Sequence, residues 1–259
     1  MVATIERGTE SAQRPSLLFV HGAMHGAWSW EEHFLPYFAE HGWHAVALDL
    51  RGHGDTPSDR SVTWVRMTDY VADLASVAQG FSRPPVIIAH SLGGFVTQRY
   101  MEDHRAAAAV LIGSLRPSGS LNLTLRAARH SPLKTARVFV TFKLLTLFGS
   151  PTSARYWFRS DETSEEEMAT YVDKLCEESF RAVLDTMVRP VRTRRVIGTP
   201  ILVVGGDQDR SSRPADQRVT SRKYGVEPVI LPGLTHDLMI EPGWEHAADV
   251  IIEWLDTLA

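Results

Sequence analysis

Val86-Ile87-Ile88-Ala89-His90-Ser91-Leu92-Gly93-Gly94 is the stretch on which the reading of this chain turns. Its aliphatic start shows no polar alternation, the pattern of a strand covered on both faces, and a helical pattern from Leu92 to His104 follows at once. A serine on so tight a strand-to-helix turn must take a strained backbone conformation. The chain crosses itself so closely there that the residues two before and two after have to be small, and Ala89 and Gly93 are. The hydroxyl then stands clear of the sheet, and the Leu92 N–H sits at a helix start, where unpaired donors and the helix dipole favour negative charge. Ser91 is therefore the candidate nucleophile and Leu92 a candidate oxyanion donor; the bland alternative is a serine that only caps the helix.

Outward from this turn, similar short runs occur at Leu17 to Val20, Ala45 to Leu48, Ala109 to Ile112, Ile201 to Val204 and Pro228 to Leu231. Helical patterns lie between and after them, at about Trp28 to Glu40, Thr68 to Gln79 and Trp244 to Leu258. Strands alternating with helices predict an open α/β fold: a mostly parallel sheet with helices on both faces and sites at the carboxyl ends of the strands. Arg116 to Val196 breaks the rhythm, with helical patterns, no convincing strand, and a capping box at Ser164 and Glu167. A structureless loop of that length is not expected in a compact domain. The predicted organisation is thus one core, residues 1–115 and 197–259, with a helical cap, residues 116–196, inserted over the strand ends.

The run after Val20 is His21-Gly22-Ala23-Met24-His25-Gly26-Ala27-Trp28-Ser29-Trp30. Gly22 lets the backbone turn close to the site, and the Ala23 N–H is the donor to pair with that of Leu92. His21 and His25 read as buried, hydrogen-bonded histidines. Together with the turn at Ser91 and the loop Asp49-Leu50-Arg51-Gly52-His53-Gly54, this run resembles the α/β-hydrolase family over nearly the whole chain except the cap. The stretch from His21 to Trp30 is particularly similar to the plant methylesterase and hydroxynitrile lyase group. In the lyases a threonine usually stands where this chain has Gly22, and a lysine lies near the catalytic histidine; the absence of both favours ester hydrolysis.

The resemblance implies a chain order of serine, acid, histidine. Leu234-Thr235-His236-Asp237, after the last strand, supplies His236 as the general base, while His246 falls in the final helix. Gly205-Gly206-Asp207-Gln208-Asp209 offers two carboxylates, and the family pattern of glycine, two residues, aspartate selects Asp209 to orient the imidazole. Asp207 is then left as a turn or surface carboxylate, a candidate for an Asx-turn. No carboxylate follows the preceding strand at Ile112-Gly113-Ser114-Leu115.

Composition narrows the function further. With 22% charged residues and a formal net charge of −4 there is no extended basic surface to bind nucleic acid. Cys176 is the only cysteine, so neither an internal disulfide nor a cysteine-built metal site is expected. Met1 to Ser16 lack a signal-like apolar run, and the longest apolar stretch, about Val138 to Phe148, is too short to span a bilayer, so a cytoplasmic location is expected. In the cap, Phe139, Phe142, Leu144, Leu145, Leu147, Phe148, Tyr156, Trp157 and Phe158 either pack it onto the core or line a pocket. With Lys134, Arg137 and Lys143 the same segment also fits a membrane surface or a second copy of the chain, leaving a homo-oligomer open. Asp161 to Glu167 reads as a solvated helix start, and Arg189, Arg192, Arg194 and Arg195 as a solvated hinge.

The resulting expectation is a serine hydrolase, without metal or cofactor, that cleaves a small to medium, largely apolar carboxylic ester through an acyl-enzyme. A thioesterase, lactonase, carbon-carbon bond hydrolase or perhydrolase fits the same three residues. A ligand-binding protein that keeps the fold without turnover is the alternative of another class.

Overall fold

A computed structural model of the chain describes residues 1–196 and 198–258. Ile197, where the second core segment is expected to start, and Ala259, where it ends, lie outside these. Seven strands form one sheet among the described residues: β1 (Thr4–Arg7), β2 (Leu17–Val20), β3 (Ala45–Leu48), β4 (Val86–His90), β5 (Ala108–Ile112), β6 (Ile201–Gly206) and β7 (Pro228–Leu231). Their spatial order is β1-β3-β2-β4-β5-β6-β7, and every pairing is parallel except that of β1 with β3.

The helices are α1 (Trp28–Glu31), α2 (Phe34–Glu40), α3 (Met67–Ala78), α4 (Ser91–Tyr100), α5 (Leu121–His130), α6 (Pro132–Thr141), α7 (Leu145–Phe148), α8 (Pro151–Phe158), α9 (Glu165–Lys174), α10 (Phe180–Val188), α11 (Pro214–Tyr224) and α12 (Trp244–Asp256). Alternate strand residues face opposite layers, which is why the strands read as unbroken aliphatic runs. Leu17, Phe19, Ile88 and Val110 pack with Phe34 and Phe38 of α2 and Ile251 and Leu255 of α12. Leu18, Val20, Ile87 and Leu111 pack with Tyr70 and Leu74 of α3 and Phe95 and Val96 of α4. Six helices, α5 to α10, lie between β5 and β6, and the capping box expected at Ser164 and Glu167 starts α9.

Four expectations need correction. The helix expected from Trp28 to Glu40 is two, because a proline at 36 supplies no N–H and its ring collides with the carbonyl four residues earlier, so helix continues only if it restarts at Phe34. Strand β1 escaped the sequence reading because it is a mostly exposed edge of polar residues, Thr4-Ile5-Glu6-Arg7, without a core-like run. The arginines after α10 are not merely solvated: Arg192 pairs with Glu102 at 3.0 Å and Arg195 with Asp103, tying the return crossover to the segment just beyond α4. Asp207 forms no Asx-turn; its Oδ1 accepts the Gly233 N–H at 2.8 Å.

Ser91 stands at the junction of β4 and α4 with φ of +50°, in the left-handed region that side chains avoid. The cause is proximity: α4 runs back so tightly against β2 that a Cβ on Gly93 would lie 2.3 Å from the His21 carbonyl oxygen and 2.7 Å from that of Val20. Both obstacles are backbone and cannot step aside. Gly93→Ala is therefore expected to lower the unfolding free energy by about 2 kcal/mol or more, read as a drop in the urea midpoint at unchanged m-value.

Candidate active site

The parallel strands all deliver their carboxyl ends to one edge of the sheet, and five loops meet there: after β2 (His21 onward), β4 (Ser91), β5 (Gly113), β6 (Asp209) and β7 (His236). His236 Nε2 lies 2.9 Å from Ser91 Oγ, and His236 Nδ1 lies 2.8 Å from Asp209 Oδ2. All three side chains are buried. Asp207, the competing carboxylate, is exposed and turned to Gly233.

Asp209 is itself fixed by the backbone. Its Oδ1 accepts the N–H groups of Ser211 and Ser212, each at 2.7 Å, so the Asx-like turn expected at Asp207 belongs to Asp209. The other oxygen is left for the imidazole, whose Nδ1–H donates to it. Burial works against a charged His236 ring, but the Asp209 carboxylate and its hydrogen bond outweigh it, and the histidine is held above its ordinary value of 6.5.

A second condition for acyl chemistry is a place for negative oxygen. Leu92 is the second residue of α4, so its N–H has no acceptor within the helix. The Ala23 N–H likewise has no hydrogen-bond partner among the described residues, and both residues line the same cavity as Ser91 and His236. Gly22 makes this approach possible: a Cβ there would meet His90 Nδ1 at 2.5 Å and Ser91 Cβ at 3.1 Å. The space a threonine would need at 22 is filled by His90.

Several residues that hold this geometry went unread in the sequence. Asp237, directly after His236, is fully buried; its Oδ2 accepts the Tyr171 hydroxyl of α9 at 2.7 Å and faces His25 Nε2 at 3.2 Å. Burial opposes its charge, but His25 and its hydrogen bond, with His90 and His236 nearby, hold the carboxyl far below the usual range. Its own N–H donates to the Phe158 carbonyl at the end of α8, and His90 Nε2 donates to the His236 carbonyl. Burial, reinforced by the neighbouring His236 ring, keeps His90 neutral, well below its ordinary value.

Glu178, just before α10, does the corresponding work at the other wall. It is buried, accepts the Tyr70 hydroxyl at 2.7 Å and the Met24 N–H at 3.3 Å, and lies 3.2 Å from His53 Nε2. The Cys176 N–H donates to the Met24 carbonyl at 3.0 Å, so residue 24, itself in the left-handed region at φ +66°, is held from both sides next to Ala23. His21 and His25 behave as read: His21 Nδ1 donates to the Gly22 carbonyl and Nε2 accepts the Leu50 N–H, and burial depresses its pKa to about 3. His90, His236 and Asp237 offer ligand atoms within 4.8 Å of one another, a spacing compatible with a metal ion. Both His236 nitrogens, however, are engaged with Ser91 and Asp209, and Asp237 with Tyr171 and His25.

The model of the alpha/beta hydrolase family matches residues 17–253, through every strand that carries the site. The chain belongs to that family. It is 37% identical over 105 residues to a non-heme chloroperoxidase of Streptomyces lividans, a match covering 39% of this chain and 37% of that protein. It is 26% identical over 178 residues to salicylic acid-binding protein 2 of Nicotiana tabacum, covering 67% and 66%. The chain thus spans less than two thirds of each of these relatives. The crystal structure of a putative non-heme bromoperoxidase from Mycobacterium tuberculosis superposes with a TM-score of 0.77 over 100% of this chain and 97% of that one, at 18% identity, a likeness of fold alone. No helix among the described residues is long and apolar enough to cross a membrane.

Two measurements follow from this geometry. The His236 ring protons in an NMR titration should show a midpoint above 6.5, and Asp209→Asn should move it downward, since burial then acts without its counterweight. Glu178→Ala, which strands His53 in the interior, should cost about 3 to 5 kcal/mol of unfolding free energy, whereas a surface pair such as Arg195 with Asp103 should cost less than about 1 kcal/mol when broken.

Proposed function

We propose that this hydrolase cleaves a small to medium, largely apolar carboxylic ester through a covalent acyl-enzyme, with Ser91 as nucleophile, His236 as general base and Asp209 as the group that orients and stabilises the imidazolium. The observation that carries the reading is the unbroken hydrogen-bond line from Asp209 through His236 to Ser91, at the foot of an apolar cavity. Ser91 Oγ attacks the ester carbonyl carbon while His236 Nε2 takes its proton; the carbonyl oxygen, now negative, is received by the N–H groups of Ala23 and Leu92. Collapse expels the alcohol, which takes the proton from His236. Water then repeats the sequence on the acyl-enzyme and frees the acid and Ser91. The scheme needs no metal or cofactor.

In this reading helices α5 to α10 act as a cap whose side chains shape the acyl site. Leu123, Val138, Leu147, Phe148 and Phe158, all from between β5 and β6, line the cavity with Ser91 and His236. Phe158 also lies roughly parallel to the His236 ring at 5.7 Å. An apolar lining with few polar groups suits an alkyl or aryl acyl group and offers nothing to a charged one.

A second reading is favoured by the relative named as a non-heme chloroperoxidase. The same acyl-enzyme would be intercepted by hydrogen peroxide, releasing a peracid and Ser91; the first half-reaction is shared, so only the partition of the intermediate separates the two.

A fluorophosphonate probe should label Ser91 alone, and Ser91→Ala should lower kcat on a p-nitrophenyl ester by roughly 10⁴-fold or more. The acid limb of kcat/KM should fall above pH 6.5, because a raised histidine must lose its proton before it can act as base. Labelling at another residue would overturn the assignment of Ser91, and saturable ester binding without release of p-nitrophenol would favour a binding role. Competition of added peroxide with water for the acyl-enzyme, measured as peracid formed per ester cleaved, decides between the two enzymatic readings.

A further inference from the structure

Helix α6 carries apolar side chains on both sides, yet it covers the core with only one. Thr135 and Val138 face inward and line the cavity above Ser91. On the opposite side Leu133, Ala136 and Val140 form a stripe at helical spacing in solvent, Leu133 being 86% and Val140 78% exposed. Apolar side chains on the solvent side of a helix, where polar ones ordinarily stand, are left without a packing partner. The apolar surface continues past its end, where Phe142 packs on the half-exposed Trp64 ring at 5.3 Å.

The charge around this stripe has one sign. From Gly113 to Ser160 the sequence holds eight lysines and arginines and not one aspartate or glutamate, in a chain whose formal net charge is −4. Arg116, Arg126, Arg155 and Arg159 are matched to carboxylates from outside that stretch. Lys134 and Arg137 on α6, and Arg129 and Lys143 beside it, have no ion-pair partner among the described residues.

We propose that α6, with Trp64 and the flanking cations, docks this protein on the surface of an anionic lipid bilayer. An apolar stripe a few side chains wide, an interfacial tryptophan and a ring of cations without carboxylates is the composition that binds there, the apolar side chains entering the headgroup boundary and the cations pairing with lipid phosphates. A second copy of the chain fits the surface less well. A two-fold contact on this face would set Arg129, Arg137 and Lys143 against their own copies with no carboxylate of the segment between them. The docked face also adjoins the cavity: Phe139, on the same helix, is 47% exposed and lines the cavity at once. An acyl chain leaving the bilayer would therefore pass Phe139 to reach Ser91. The docking stands on the surface alone, whereas this delivery rests on the proposed ester hydrolysis.

The test uses the full chain and its Ser91→Ala variant in flotation with vesicles of phosphatidylcholine, with and without phosphatidylglycerol. Both proteins should float with the anionic vesicles only, and added salt should release them. Leu133→Glu with Val140→Glu, and separately Arg137→Ala with Lys143→Ala, should weaken binding by at least about tenfold. Neither pair should alter hydrolysis of a water-soluble p-nitrophenyl ester, because none of the four residues lines the cavity. Failure to float, equal flotation with neutral vesicles, or undiminished binding by both variant pairs overturns the docking. So does self-association in sedimentation equilibrium that the Leu133→Glu, Val140→Glu protein loses. If flotation succeeds while no ester is cleaved, docking stands and the hydrolysis reading falls; cleavage without flotation gives the reverse.

Discussion

The left-handed backbone at Ser91 is the constraint on which the rest of the molecule depends. A residue with a side chain in that region costs on the order of 1–3 kcal/mol, and it persists because β4 is held on both sides by β2 and β5 while α4 has room for nothing larger than glycine at 93. The outcome is a hydroxyl raised above the strand ends, beside the one turn of helix whose N–H groups have no internal acceptors. Every other element of the site, from Gly22 to Asp209, is arranged around a point that the strand-to-helix junction has already set.

Two buried carboxylates then fasten the inserted helices to that point. Asp237 links the histidine loop to Tyr171 of α9, and Glu178 links the loop of Ala23 and Met24 to Tyr70 and His53. In each case a charge that burial alone would neutralise is kept ionised by histidine and hydroxyl partners. The helices between β5 and β6 are thus more than a roof over the site, since they hold the loop of His236 from one side and the loop of Ala23 from the other. Loosening either carboxylate disturbs positions as well as stability.

How much of this was legible in the sequence follows from the range over which each interaction acts. The strand at Val86, the small residues around Ser91 and the glycine beside Ala23 are local requirements, and local requirements leave local patterns. The parallel sheet followed from unalternating aliphatic runs. Strand β1 did not, because an edge strand need bury little, and the break before Phe34 was visible only as a single proline within an otherwise helical pattern. Choosing Asp209 over Asp207 leaned on family pattern; the structure separates them by their backbone partners, Ser211 and Ser212 for one and Gly233 for the other. Glu178 and Tyr171 carried no local signal at all, because their partners lie more than sixty residues away. An acid in a helical, polar stretch looks solvated until the fold closes over it.

The pairing of β5 with β6 has a consequence for how such a protein can change. Ala109 aligns with Ile201 and Ile112 with Val204 across a connection of some ninety residues, and the entropy of closing so long a loop grows only logarithmically with its length. Residues added to or removed from α5 to α8 therefore leave the sheet almost indifferent, provided Tyr171 and Glu178 still reach their partners. The walls of the cavity can thus be rebuilt, and its shape altered, without disturbing the strands whose ends carry Ser91, Asp209 and His236.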